Sequence, residues 1–216
     1  MKYFVPGVIP IALLAIGSSA CGSASTAQKP AVIQPGAPGQ NSQVLASDAA
    51  AKQPIPAATE ADVKFMQGMI HHHAQALDMT ELIDERTQDP DMKKLGLRIH
   101  VSQNDEIKMM QHWLEVRGQD VPGRHAHHMP GAVPMPGMLT SEEMEKLEAA
   151  KGPEFDRLFL EGMIKHHGGA LVMVRDLFAT PGAGQQSEIF AFASDVEADQ
   201  KMEIDRMEAM LKERMK

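Results

Sequence analysis

Cysteine, tyrosine and tryptophan each occur once in this 216-residue chain, and aromatic residues make up only 4% of it. A single cysteine excludes a disulfide framework and any multi-thiolate zinc or iron–sulfur site. No run of lysine or arginine is present and the formal charge is -8 at pH 7, so the clustered cations that grip phosphate are missing and nucleic acid is excluded as a partner. Strand-like alternation is absent as well. What the chain has instead is 17 Met, more than its Leu or its Ile, together with ten His. Any metal it binds must therefore be held by imidazole, thioether and carboxylate groups.

Residues 1–21 read MKYFVPGVIPIALLAIGSSAC, with Lys2 first, an apolar stretch from Val8 to Ile16, and small residues before Cys21. This is the pattern of an export signal, and its apolar part is too short for a membrane-spanning helix. Ser18-Ser19-Ala20-Cys21 resembles a lipobox with Cys21 as the lipidated residue, although Ser18 stands where Leu is usual and ordinary cleavage after Ala20 stays open. Residues 22–59, rich in Ala, Ser, Gln, Pro and Gly, have the composition of a disordered linker. The expected location is the periplasm or cell surface, with membrane contact only through a lipid anchor.

The remainder is a repeat. FMQGMIHHHAQALDM from Phe65 to Met79 returns as FLEGMIKHHGGALVM from Phe159 to Met173, 94 residues later and identical at nine of fifteen positions. Gln103, Glu106, Met110 and Leu114 return 97 residues later as Gln200, Glu203, Met207 and Leu211. Capping signals divide each copy into helices. Thr59 with Asp62 opens a helix over about 60–87, and Asp89-Pro90 opens a second that Gly118 ends. Thr140 with Glu143 opens a short helix to about Ala150, Pro153 opens a third long helix that Thr180-Pro181-Gly182 stops, and a fourth runs to the C-terminus. The expected fold is all-α: a four-helix bundle over 60–216 built from two helical hairpins, repeat 1 at about 60–118 and repeat 2 at about 141–216, with a loop at 119–140 between them.

Helical spacing then assigns faces. Met92, Gly96, Ile99, Gln103, Glu106, Met110 and Trp113 share one stripe, as do Ile189, Ala193, Val196, Gln200, Glu203, Met207 and Met210. Each apolar stripe thus carries a glutamine and a glutamate at its centre, and a carboxylate on a buried seam is costly unless paired, protonated or coordinating a metal. On the facing helix, His73 lies with Met66, Ile70 and Leu77, and His72 with Met69, Ala76 and Met79. His71 falls on the polar face with Gln67, Gln75 and Asp78, and its counterpart is Lys165, so a solvated position is expected. Folding each hairpin at its loop sets Met69 and His73 opposite about 107 and 103, and Met163 and His167 opposite about 203 and 199, within roughly four residues.

The candidate metal ligands are therefore Met69, His72, His73, Glu106 and Met110, repeated as Met163, His166, His167, Glu203 and Met207. Thioether with imidazole suits Cu(I), His and Glu also hold Cu(II), and zinc or iron has less use for thioethers, although zinc stays open. The bland alternative is methionine as core filler and histidines simply bonded to Glu106 or Glu203. Between the repeats, His125, His127, His128, Met129, Met135 and Met138 fall in a Pro/Gly-rich tract that reads either as a secondary, exchangeable metal-collecting loop or as a plain connector.

FMQGMIHHHAQAL, SQNDEIKMMQHWL and MPGMLTSEEMEKLEAAKGPEFDRLFLEGMIKHHGGALVM resemble the bacterial domain-of-unknown-function 305 family, from about residue 60 to the C-terminus. The resemblance implies a ferritin-like bundle and, through exported CopM-like members, copper binding and resistance by the ten residues just named. Gly168-Gly169 departs from the first repeat and is expected to loosen its helix. The leading expectation is an exported copper protein without catalytic turnover that sequesters its ion or hands it over, with periplasmic copper-handling proteins as candidate partners. A metal-free envelope interaction module is the alternative. A di-iron oxidase would want Glu-x-x-His on two helices, and neither Glu106 nor Glu203 has a His three positions on. Copper affinity is expected to fall with pH through the imidazole range while thioether contributions persist.

Overall fold

The computed structural model describes residues 31–34, 41–50, 57–123 and 135–214. The export signal with Cys21, and His125, His127, His128 and Met129, lie outside the described residues. Within the stretch read as linker, Val32–Gln34 (β1) and Gln43–Leu45 (β2) pair antiparallel with Ile33 opposite Val44, and Ser47–Ala50 (α1) makes one helical turn. This hairpin, which the sequence reading did not expect, is the one sheet among the described residues. It belongs to a unit covering Met1–Pro54, distinct from the unit Ile55–Lys216 that contains the bundle.

The long helices start and stop where their capping residues stand. Thr59 and Asp62 form a reciprocal capping box at the head of Glu60–Glu81 (α2), which slips at Leu82 and continues as Ile83–Arg86 (α3). Asp89 accepts from the backbone N–H groups of Asp91 and Met92, with Pro90 at the first turn of Pro90–Glu115 (α4). Gly118 adopts φ 63°, and the Gln119 N–H reaches the Leu114 carbonyl at 3.0 Å, the closure that a left-handed glycine permits. Thr140 and Glu143 cap Ser141–Ala149 (α5), then Pro153–Ala179 (α6) and Ser187–Arg214 (α7) form the second hairpin. Among the described residues no helix is long and apolar enough to cross a membrane.

α2 packs on α4, α6 packs on α7, and the two hairpins join through α2 and α6. One apolar cluster combines Phe65 and Ile70 near the start of α2 with Trp113 near the end of α4, Leu177 near the end of α6 and Phe192 early in α7. The other combines Met79, Met92, Phe155 and Met210 from the opposite helix ends. α6 therefore runs antiparallel to α2 and parallel to α4, so a long crossover carrying α5 connects the two hairpins. Each end is pinned. Asp62 takes the Thr59 N–H on one carboxylate oxygen and the Gly184 N–H on the other, both at 2.7 Å, which ties the start of α2 to the α6–α7 turn. Arg214 on α7 pairs with Asp89 at the head of α4.

Between the two apolar clusters lies a buried polar layer: His72, His73, His166, His167, Gln103, Gln200 and Glu203, with Glu106 at its edge. A bundle core interrupted midway by so many polar groups gives up hydrophobic stabilisation that Leu or Ile would supply.

Candidate metal centre

The stripes expected from spacing are the buried faces observed. Met69, Met110, Met163, Met207 and the four paired histidines are all fully buried. His73 Nε2 lies 2.5 Å from Glu106 Oε2, and His167 Nε2 lies 2.7 Å from Glu203 Oε2. The observed partners are three and four residues later than the hairpin folding placed them. In each antiparallel hairpin a methionine sits four residues before the histidine and another four residues after the glutamate, so both thioethers lie about 6 Å along the axis from the His–Glu pair. Met69 and Met110 join one apolar cluster and Met163 and Met207 the other, as a two-fold relation between the repeats requires.

His72 and His166 occupy the centre of that relation. Their rings stack with centroids 3.8 Å apart and planes tilted by 35°. His166 Nε2 donates to the His72 carbonyl at 2.8 Å, and His72 Nε2 donates to the Pro136 carbonyl at 3.0 Å. Burial holds His72 far below the ordinary imidazole range, to about 3, reinforced by the neighbouring His73 and His167 and partly opposed by the Pro136 hydrogen bond. Burial also pushes His166 well down, with His72, His167 and His73 adding to the effect. Both rings are therefore neutral at physiological pH, the form in which imidazole binds a metal.

The two half-centres differ at their outer edges. Glu106 accepts from the Ser102 hydroxyl at 3.2 Å and its side chain is 17% exposed, whereas Glu203 faces Arg98 Nε at 3.5 Å and is 7% exposed. Asp199, the counterpart of Ser102, has its carboxyl pushed up by burial and by the charges of Glu106 and Glu203. Ser102 and Asp199 stand one turn before the glutamates, so helical spacing could have nominated them. Arg98 reaches across from the other hairpin, and no local pattern announces it.

The crossover supplies a strap that the sequence reading missed. Gln75, expected on the polar face, is buried and grips Leu139 twice, donating to its carbonyl at 2.9 Å and accepting its N–H at 2.8 Å. Gly169 does not loosen α6, which is continuous; an added Cβ there would lie 1.9 Å from the Pro136 carbonyl oxygen, so glycine lets the strap cross against the helix. Of the secondary-loop residues, Met135 places its sulfur over Gly68 on α2, 3.7 Å from where a Cβ would be, and Met138 is half-buried. His71 is half-buried, and burial lowers its pKa, which corrects the expectation of a solvated side chain.

Among the described residues no three His, Cys, Asp or Glu side chains are gathered into a cation cage. The thioethers of Met69, Met110, Met163 and Met207 flank the layer as further donors, and imidazole with thioether is a donor set that fits copper. Nδ1 of His72, His73, His166 and His167 is buried without a hydrogen-bond partner, and so are both amide atoms of Gln103 and of Gln200. Buried polar atoms are rarely left so. Here they occur as a matched set in both repeats.

The model of the family described as domain of unknown function (DUF305) matches residues 62–211. The chain is similar to the crystal structure of a DUF305 fragment from Deinococcus radiodurans, with 31% identity and a TM-score of 0.64 over 73% of this chain and 99% of that one. It is similar to a DUF305 protein of Streptomyces coelicolor named as secreted, with 29% identity and a TM-score of 0.60 over 71% and 93%. It is also similar to CopM in its Cu(I)-bound form, with 28% identity and a TM-score of 0.55 over 70% and 96%, and CopM has Cu(II)-bound and Ag-bound forms as well. An uncharacterized protein of Acanthamoeba polyphaga mimivirus is 41% identical over 56 residues, 26% of this chain and 37% of that protein.

Proposed function

Because the chain belongs to the DUF305 family, we propose that it is an exported copper-binding protein that sequesters the ion or passes it on, using Met, His and Glu side chains inside the bundle. One observation carries the reading: each repeat buries an imidazole pair against a glutamate, with two buried thioethers one helical turn away and the imidazole Nδ1 atoms unpartnered. Soft thioether and borderline imidazole favour Cu(I), and imidazole extends the range to Cu(II). The likeness to CopM, which has copper-bound forms, and to a protein named as secreted supports both the metal and the export. Once the N-terminal signal is removed, lipidation of Cys21 would hold the bundle at the membrane facing the periplasm or cell exterior, where it could exchange copper with other carriers. No substrate turnover is proposed.

A metal-free interaction module is the second reading, favoured by the direct His73–Glu106 and His167–Glu203 hydrogen bonds, which join four polar groups without an ion. Titration of the mature protein with Cu(I) and with Cu(II), followed by thermal melting, separates the two. Tight uptake that raises the melting temperature supports copper binding. Absence of tight uptake, with unchanged melting, rejects it in favour of the module.

A further inference from the structure

All four layer histidines present the same nitrogen to an oxygen. Nε2 of His72 and of His166 meets a backbone carbonyl, at 3.0 and 2.8 Å. A carbonyl oxygen can only accept, so the proton of each neutral ring sits on Nε2 and its lone pair on Nδ1. Nε2 of His73 and of His167 meets a carboxylate oxygen, at 2.5 and 2.7 Å. Each carboxylate is engaged on its other oxygen too, Glu106 by Ser102 at 3.2 Å and Glu203 by Arg98 at 3.5 Å. The four Nδ1 atoms are buried and have no hydrogen-bond partner.

Resting on the copper reading above, we infer that a layer histidine that takes the ion does so through Nδ1, with Glu106 and Glu203 as positioning residues that hold the ring tautomer rather than as ligands. Ligation by any Nε2 would first break a short hydrogen bond to the facing carboxylate or carbonyl, and ligation by either carboxylate would compete with the hydrogen bond that fixes the facing histidine. Ligation by Nδ1 breaks none and gives a partner to an atom that has lost its water on folding. A metal-bound histidine usually has its far N–H held by a carboxylate or a backbone carbonyl in this way, which fixes the tautomer and raises ligand basicity. The arrangement recurs across the repeat, with Glu106 and Glu203 on one pair and carbonyls on the other.

The test uses the full mature chain, labelled with ¹⁵N and loaded with Ag(I) as a diamagnetic stand-in for Cu(I). Long-range ¹H–¹⁵N correlations of the imidazoles report which nitrogen carries the proton and which one meets the metal. The expected result is Nε2–H in all four rings without metal, and, on loading, silver coupling or a large shift at Nδ1 of layer histidines in each repeat while Nε2 stays protonated. Glu106→Gln and Glu203→Gln, whose amide oxygen can still accept from Nε2, should keep Cu(I) affinity within about threefold, whereas Glu106→Ala and Glu203→Ala should lower it by about 10–100-fold. Silver coupling at Nε2, or glutamine variants that lose as much affinity as the alanine variants, would overturn the assignment and leave copper binding standing. No uptake of Ag(I) or Cu(I) at all would overturn both. The wild-type spectrum decides the matter even if a variant fails to fold.

Discussion

A buried histidine serves a metal only if it stays neutral, and the cost of keeping it so appears as acid sensitivity. In the unfolded chain imidazole titrates near about 6.5, while folded His72 is held to about 3. Above the unfolded value His72 contributes no pH dependence. As pH falls between the two values the unfolded form takes up a proton that the folded form refuses, so stability drops by about 1.4 kcal/mol per pH unit for such a group, and His166 acts in the same direction. Urea unfolding of the metal-free protein should therefore show a midpoint that falls from pH 6.5 towards pH 4; a flat midpoint would contradict neutral burial. The same shift revises the sequence-based expectation for copper, because the affinity carried by His72 and His166 should persist below the ordinary imidazole range and vanish only as the helices melt. Alanine substitutions probe the faces independently. His73→Ala and His167→Ala should each weaken Cu(I) binding by about tenfold or more, while His71→Ala, outside the paired layer, should leave it within about twofold. Equal losses in all three, measured by competition with a Cu(I) chelator, would refute the assigned faces.

Helices and their seams were legible because their signals are local. Thr59, Asp89, Thr140 and Pro153 open helices as their side chains dictate, and the residues at three- and four-residue spacing on α4 and α7 are the ones that face inward. Hairpin register was legible only to within a turn, since the slip at Leu82 and the glycine turn at 182–184 set the pivot. The strap was not legible at all. It depends on Gln75 meeting Leu139, 64 residues away, and on Gly169 yielding space to Pro136, contacts that no window of sequence contains. Two substitutions test its role as an element. Gln75→Ala would leave the buried N–H and carbonyl of Leu139 without their partner, at a cost of about 1–3 kcal/mol for each group. Gly169→Ala should cost about 1–3 kcal/mol by forcing the strap off α6. Calorimetric melting of both variants checks this; melting temperatures equal to wild type would show that the strap is not held as described.

Across the whole molecule the repeat turns one motif into a two-fold centre. The sequence identified the layer's residues by their duplication, yet not the His72–His166 stack, because the axis along which two unlinked helices meet is a tertiary property. The layer also divides the core, so a bundle built only for stability would replace it. His73→Leu combined with Glu106→Leu should leave the metal-free melting temperature unchanged or higher while weakening copper uptake, since a buried polar pair is often exchanged for apolar residues without loss of stability. A large drop in melting temperature would mean that the pair is a structural necessity instead. The half-centres are unequal in charge, with Arg98 beside Glu203 and Asp199 close to both glutamates, so the two copies need not fill together. The most direct test of the central claim is anomalous diffraction at the copper edge from copper-loaded crystals of the bundle. Peaks between the two apolar clusters, beside His72–His73 and His166–His167 with methionine sulfur among the neighbours, are the predicted result; peaks confined to other parts of the chain, or none at all, would contradict it.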